Sequence, residues 1–316
     1  PTQLGEEAFD PLFPDSHLVH RHQLEAWDAL VNRPNTSVLV RTGTASGKTE
    51  AFLVPILNDL ANEIGAGGGP PLVGVRALFL YPLNALINSQ RDRLVAGTAP
   101  FGSRMRFAHY NGNTPERLAG GLAFNGPEIR DRARLRETPP PMLVTNATML
   151  EYMLVRQRDA PIIENSRGLL RWIVLDEAHT YIGSAAAEIA LLLRRVLHTF
   201  DVSPENVRFV ATSATIGGDD QESEERLATF LSDLAGVDRS QVVVVSGRRD
   251  GKYLEISVAN PVAPGKSRDA AGNKMALSNI RQRFDLAYGH RATIDIDDSN
   301  DTYKVTLRFP EMEDDE

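Results

Sequence analysis

Ser37-Val-Leu-Val-Arg-Thr-Gly-Thr-Ala-Ser-Gly-Lys-Thr49 reads as a buried strand, a loop of small residues and the start of a helix, which Glu50-Ala-Phe-Leu-Val54 continues. That order suits a polyphosphate. Small side chains let consecutive backbone N–H groups curl around phosphate oxygens, and the helix N-terminus adds the positive end of its dipole. Lys48 then reaches the β- and γ-phosphates of ATP, and the Thr49 hydroxyl is placed to bind Mg²⁺. Thr42, Gly43, Thr44, Ala45, Ser46 and Gly47 form the cradle. The strict pattern has glycine at the first of these positions, where this chain has Thr42.

Working outward, short apolar runs recur at Ser37–Val40, Ala77–Tyr81, Arg106–Tyr110, Met142–Val144, Trp172–Leu175 and Arg208–Ala211. Several are apolar at successive positions, as expected of strands covered on both faces. Helical patterns alternate with them. Ser184–Leu197 places Ile189, Leu192, Leu193 and Val196 on one face. Alternating strands and helices predict an α/β fold, a doubly wound parallel sheet. Gly65–Pro71 reads as a flexible loop. Gly126–Pro141 reads as an exposed helix and a proline-rich approach to the next strand.

Two more strand ends carry chemistry. Arg171-Trp-Ile-Val-Leu-Asp-Glu-Ala-His179 is an apolar strand ending in two carboxylates and a histidine. The C-terminal ends of parallel strands face the crevice where open α/β sheets bind ligands. There Asp176 is placed to hold Mg²⁺ and Glu177 to orient or deprotonate the attacking water. Val207-Arg-Phe-Val-Ala-Thr-Ser-Ala-Thr215 ends in small hydroxyl residues. Ser213 and Thr215 are the groups expected to bond Glu177 or His179 and to couple the site.

The chain has 316 residues and a net charge of −8, from 34 basic against 42 acidic side chains, so bulk positive charge does not hold it to nucleic acid. Binding would be local, through backbone amides and a few basic groups. With no cysteine there is neither a disulfide framework nor a thiolate metal site, in accord with a reducing cytoplasm. No apolar run approaches the roughly 18 residues of a membrane span, so no membrane partner is expected.

Beyond about Gly247 the character changes. Thr293–Ile296 and Tyr303–Phe309 alternate, and Glu311–Glu316 is acidic. The division expected is an α/β nucleotide-binding domain over 1–246 and a small β-containing appendage, or the start of a second domain, over 247–316.

In order, these pieces resemble the superfamily 2 helicases. Thr42–Thr49 is similar to motif I, Asp176-Glu-Ala-His179 to a DEAH-type motif II, and Ser213-Ala-Thr215 to motif III. Arg21-His-Gln23 resembles the adenine-reading Q motif, with Gln23 as the base contact. Tyr81-Pro-Leu-Asn-Ala-Leu-Ile-Asn-Ser-Gln90 resembles motif Ia, and Tyr110-Asn-Gly-Asn-Thr-Pro115 and Val144–Met153 the next nucleic-acid-facing motifs. The resemblance spans roughly 18–217. Ala45 and the YPLN, YxGxTP and TNxTMLEYML patterns are similar to the bacterial mitomycin-repair helicases and the DEAH-box helicases of anti-phage systems such as Druantia, DISARM and Dpd.

That resemblance implies an ATP hydrolase moving on DNA, in repair or anti-phage defence, with subunits of such a system as further partners. It places the track at Pro82, Asn84, Gly112, Thr114, Thr145 and Asn146. It also implies that 1–246 is a RecA-like ATP-binding domain, and that a second RecA-like domain in the parent chain supplies arginine fingers from a QxxGRxxR pattern. No such pattern follows residue 217; Arg248-Arg249 and Arg281-Gln-Arg283 lack its context. This segment alone is therefore expected to hydrolyse ATP weakly. An RNA track fits the same motifs, and so does a nucleotide-gated scaffold subunit.

Overall fold

The computed structural model describes residues 20–42, 47–65, 69–82, 84–118, 126–181, 183–213 and 221–246, and the strands 253–261, 293–297 and 302–310. Two compact units divide the chain. The larger takes in 1–41 and 47–246, and the smaller 247–316 with the five residues 42–46.

The larger unit is built on one parallel sheet. Its strands are β1 (Ser37–Arg41), β2 (Ala77–Leu80), β3 (Phe107–Tyr110), β4 (Glu128–Ile129), β5 (Met142–Thr145), β6 (Trp172–Leu175), β7 (Arg208–Ser213) and β8 (Val242–Ser246). They lie in the order β4-β3-β5-β2-β6-β7-β1-β8. Alternate residues of each strand face opposite sides. Leu39, Leu78, Leu143, Ile173 and Phe209 enter one core and Val38, Phe79, Val144, Val174 and Val210 the other.

Each core has its own helices. The first takes α5 (Ala147–Val155), α7 (Ser184–Thr199) and α8 (Gln221–Ala235), through Met149, Leu193 and Leu231 among others. The second takes α1 (Arg21–Asn32), α2 (Lys48–Ile64) and α3 (Asn84–Thr98), through Leu30, Phe52, Ile56 and Leu94. Apolar cover on both faces is what the unbroken apolar strands require, and the sheet is doubly wound. Among the described residues the other α-helices of this unit, α4 (Arg132–Glu137) and α6 (Ala160–Glu164), are only six and five residues long.

The six strands expected from the sequence are all present, with ends shifted by at most two residues. β4 and β8 were not anticipated. β8 is a run of four valines whose partner is β1, about 200 residues away, so its register depends on a contact that local pattern does not reveal. The segment 126–141 differs from its reading as an exposed helix. It begins with β4, and α4 buries Leu135 while the Arg136 guanidinium pairs with the fully buried Asp159. Pro139 and Pro141 serve as carbonyl acceptors for the amides of Gly74, Arg76 and Ala77.

In the smaller unit β9 (Tyr253–Pro261), β10 (Thr293–Asp297) and β11 (Thr302–Pro310) form an antiparallel sheet ordered β10-β11-β9. Val305 faces Val258 across β11 and β9. The side chains of Arg248, Arg249, Arg281 and Arg283 lie outside the described residues.

Candidate functional site

Register brings the three chemical strand ends together. β7 lies between β1 and β6, with Val40 beside Thr212 and Leu175 beside Ala211. The residues after β6, Asp176 and Glu177, therefore emerge next to the end of β7, one strand from β1 and the start of α2.

Lys48 and Thr49 open α2, whose N-cap is Gly47 with φ 71°, in the left-handed region that glycine enters without steric cost. A Cβ at Gly47 would overlap the side-chain nitrogen of Gln23. Gln23 is only 2% exposed; its Nε2 donates to the Gly47 carbonyl at 2.9 Å and its Oε1 accepts from the His20 amide at 2.8 Å. Gln23 thus braces the end of the loop from α1. Thr42 is buried just past β1, while Gly43, Thr44, Ala45, Ser46 and Thr215 lie outside the described residues.

The Lys48 ammonium is buried and has no hydrogen-bond partner among the described residues; Glu177 Oε1 stands 4.0 Å from it. A desolvated ammonium without acceptors is costly unless a ligand supplies them. Asp176 is 9% exposed. Burial raises its carboxyl above the usual range, the Thr212 hydrogen bond opposes that, the Glu177 charge adds to it, and Lys48 pulls it down. Among the described residues no cluster of three or more His, Cys, Asp or Glu forms a metal cage. Mg²⁺ usually takes only one or two protein ligands and completes its octahedron with phosphate and water. The Lys48 ammonium, the Thr49 hydroxyl and the Asp176 carboxyl are groups that could hold a polyphosphate and its Mg²⁺.

Glu177 adopts φ 52°, ψ 44°, a left-handed conformation that costs a non-glycine residue about 1–2 kcal/mol. Its backbone N–H donates to Thr212 Oγ1 at 3.1 Å, and the same hydroxyl donates to Asp176 Oδ1. Those bonds hold the strained turn. His179 Nδ1 lies 3.3 Å from Glu177 Oε2. Thr212 was not among the residues singled out in the sequence; its neighbour Ser213 was. Alternation along β7 puts the two on opposite faces, and the face toward α2 belongs to Thr212. Ser213 is buried at the strand's end.

Gln90 and Arg93, also unforeseen, touch the site from α3. Thr49 Oγ1 donates to Gln90 Oε1 at 3.2 Å and accepts from an Arg93 terminal nitrogen at 3.0 Å. Their i, i+3 spacing on one helix face was the signal available.

The expected track residues end β2, β3 and β5, which are consecutive neighbours β3-β5-β2 beside β6. Pro82 and the start of α3 at Asn84 follow β2; the Asn84 side chain lies outside the described residues. Gly112 is exposed, with open space where a Cβ would stand. Thr114 Oγ1 donates to the His109 carbonyl at 2.9 Å, and Thr145 Oγ1 to the Tyr110 carbonyl at 2.7 Å. Asn146 caps α5 by accepting from the Met149 amide at 2.8 Å. Arg132 lies over the Tyr110 ring and donates to the Thr114 carbonyl at 2.8 Å, bracing the same loop.

Residues 20–223 match the family model described as DEAD/DEAH box helicase. The chain belongs to the DEAD/DEAH box helicase family. Relatives include the Druantia protein DruE of Escherichia coli (strain UMEA 4076-1), 27% identical over 74% of this chain and 18% of its own length. The uncharacterized ATP-dependent helicase YprA of Bacillus subtilis (strain 168) is 27% identical over 66% of this chain and 24% of its own. The DUF1998 helicase MrfA bound to DNA superposes with a TM-score of 0.54 at 25% identity, covering 78% of this chain and 30% of that one. The chain thus spans about a fifth to a quarter of the length of these two curated relatives. The DEAD-box helicase Mss116, at 13% identity, shares the fold, with a TM-score of 0.58 over 88% of this chain and 50% of that one. Among the described residues no helix is long and apolar enough to cross a membrane.

Proposed function

We propose that this chain is the first RecA-like half of an Mg·ATP-driven DNA motor. The observation that carries the reading is the buried Lys48 ammonium, without a hydrogen-bond acceptor among the described residues, 4.0 Å from Glu177 and one strand from the Asp176 carboxyl.

Lys48 binds the β- and γ-phosphates, and Gly43–Gly47 surround them with backbone amides. Thr49 and Asp176 would hold Mg²⁺, which would supply neutralisation of charge on the phosphate oxygens. Glu177 orients the attacking water and accepts its proton, with His179 beside its second oxygen. Gln23 supports the loop at Gly47 and is the residue proposed to meet the adenine. Ser213 and Thr215 relay changes at the site along the end of β7.

The track runs across Pro82, Asn84, Gly112, Thr114, Thr145 and Asn146. Loop amides and the N-termini of α3 and α5 meet phosphates there without reading bases. DNA is preferred because the MrfA structure holds DNA, and the relative DruE, a Druantia protein, favours anti-phage defence as the setting. Residues 1–246 act as the motor domain, and 247–316 as an appendage in a cytoplasmic protein. A second RecA-like domain would supply arginine fingers, which accelerate phosphoryl transfer by roughly 10³–10⁵. This chain alone therefore binds ATP and hydrolyses it slowly.

The test is steady-state ATP hydrolysis by the parent protein with single-stranded DNA, duplex DNA or RNA, beside its Lys48→Ala variant. DNA stimulation that disappears in Lys48→Ala supports the motor. Stimulation by RNA alone reassigns the track, and ATP binding without stimulated turnover on any nucleic acid marks a nucleotide-gated scaffold instead.

A further inference from the structure

We infer that Gln90 and Arg93 are positioning residues that link metal occupancy at Thr49 to α3, the helix that begins at the proposed track. The inference rests on the Mg·ATP reading of the site.

The Thr49 hydroxyl is buried and engaged twice by α3. It gives its proton to Gln90 Oε1 at 3.2 Å and accepts from Arg93 at 3.0 Å. Arg93 also pairs through Nε with Glu50 Oε1 at 3.1 Å. The two contacts on Thr49 differ in what a cation would do to them. A hydroxyl ligand binds a metal through a lone pair and keeps its proton, so donation to Gln90 is compatible with Mg²⁺. Donation from Arg93 occupies one of the two lone pairs and opposes the metal through its charge. The guanidinium is always charged, and it places a cation against the oxygen that must receive a second one.

Metal loading therefore displaces Arg93 from Thr49. The side chain is 47% exposed, so water solvates it when it leaves, and its Glu50 partner offers an anchor during the swing. The contact lies on the helix whose first residue follows the β2 loop. At about 1.5 Å per residue, Gln90 and Arg93 stand about 9 and 13.5 Å along α3 from Asn84. Releasing one end of such a rod loosens its hold on α2. By linkage, whatever holds α3 at the track alters metal affinity by the same factor.

The experiment titrates Mg²⁺ into the full chain with a fluorescent ATP analogue, comparing wild type with Arg93→Met, Arg93→Lys and Gln90→Leu. The expected result for Arg93→Met is an Mg²⁺ midpoint lowered by about tenfold, with nucleotide affinity in EDTA unchanged. Arg93→Lys restores part of the wild-type midpoint, and Gln90→Leu raises it by about tenfold. A wild-type or raised midpoint in Arg93→Met overturns the inference. So does a fall in its affinity in EDTA, which would make Arg93 a phosphate contact. Wild-type binding that Mg²⁺ does not alter overturns the inference alone, whereas no wild-type binding with or without Mg²⁺ overturns the nucleotide reading itself.

Discussion

Thr212 holds Asp176 and, through the same oxygen, the backbone of the residue after it. Its hydroxyl donates to the Asp176 carboxylate and accepts from the Glu177 amide at 3.1 Å, so one side chain sets both the carboxylate proposed to hold Mg²⁺ and the turn that carries the proposed base.

Thr212→Val keeps the shape and removes both bonds. We expect ATP turnover to fall by about 10- to 100-fold, the usual cost of losing a group that orients a metal ligand. Thr212→Ser should recover most of it. Steady-state hydrolysis by the parent protein, with circular dichroism to verify folding, checks this; near-wild-type turnover in Thr212→Val would remove Thr212 from the mechanism.

Gly47→Ala introduces a Cβ into Gln23 at a backbone φ of 71°. We expect a stability loss of about 1–2 kcal/mol from the left-handed backbone and a nucleotide affinity weakened by about tenfold as the loop shifts. Thermal melts and a fluorescent-nucleotide titration measure the two effects. Adding Gln23→Ala should relieve the overlap but leave the backbone strain.

Asp176→Asn should stabilise the nucleotide-free protein while destroying Mg²⁺ binding. The buried carboxyl titrates above its ordinary range, so it binds protons better folded than unfolded. The stability it confers is fullest below the unfolded pKa and is lost as pH rises through the folded one. An uncharged amide keeps the low-pH condition at neutral pH and can still accept from Thr212. The expected gain is about 1 kcal/mol, or about 2–4 °C in melting midpoint.

Glu128 behaves in the opposite sense. Burial pushes its carboxyl up, but hydrogen bonds with His109, Arg91 and Arg130 hold it at about 2, below the ordinary 4.5. Its stabilisation is present above the unfolded value and drains away as pH falls from about 4.5 toward about 2. Glu128→Gln leaves the arginines at β4 without their anion and should cost about 3 kcal/mol at pH 7. It should also flatten the acid limb of a urea-stability profile taken between pH 7 and 3.

Much of this was legible in the sequence because the sheet is parallel and covered on both sides. Unbroken apolar runs marked six strands, and Lys48, Asp176 and Glu177 sit where strand ends must face the crevice. Thr212 was harder to see: Ser213 stands one residue on, and only the register against β1 and β6 tells which face of β7 meets α2. Gln90 and Arg93 depend on how α3 packs against α2, which periodicity leaves open. β8 required a pairing with β1 across about 200 residues, and β4 is only two residues long.

Equilibrium binding of a fluorescent ATP analogue to this chain in Mg²⁺, with wild type beside Lys48→Ala and Glu177→Gln, tests the central claim most directly. We predict saturable binding that weakens about tenfold or more in Lys48→Ala, since a charged hydrogen bond to phosphate is lost, and survives in Glu177→Gln. Binding in Lys48→Ala as tight as wild type, or no binding by the wild type, would contradict the account.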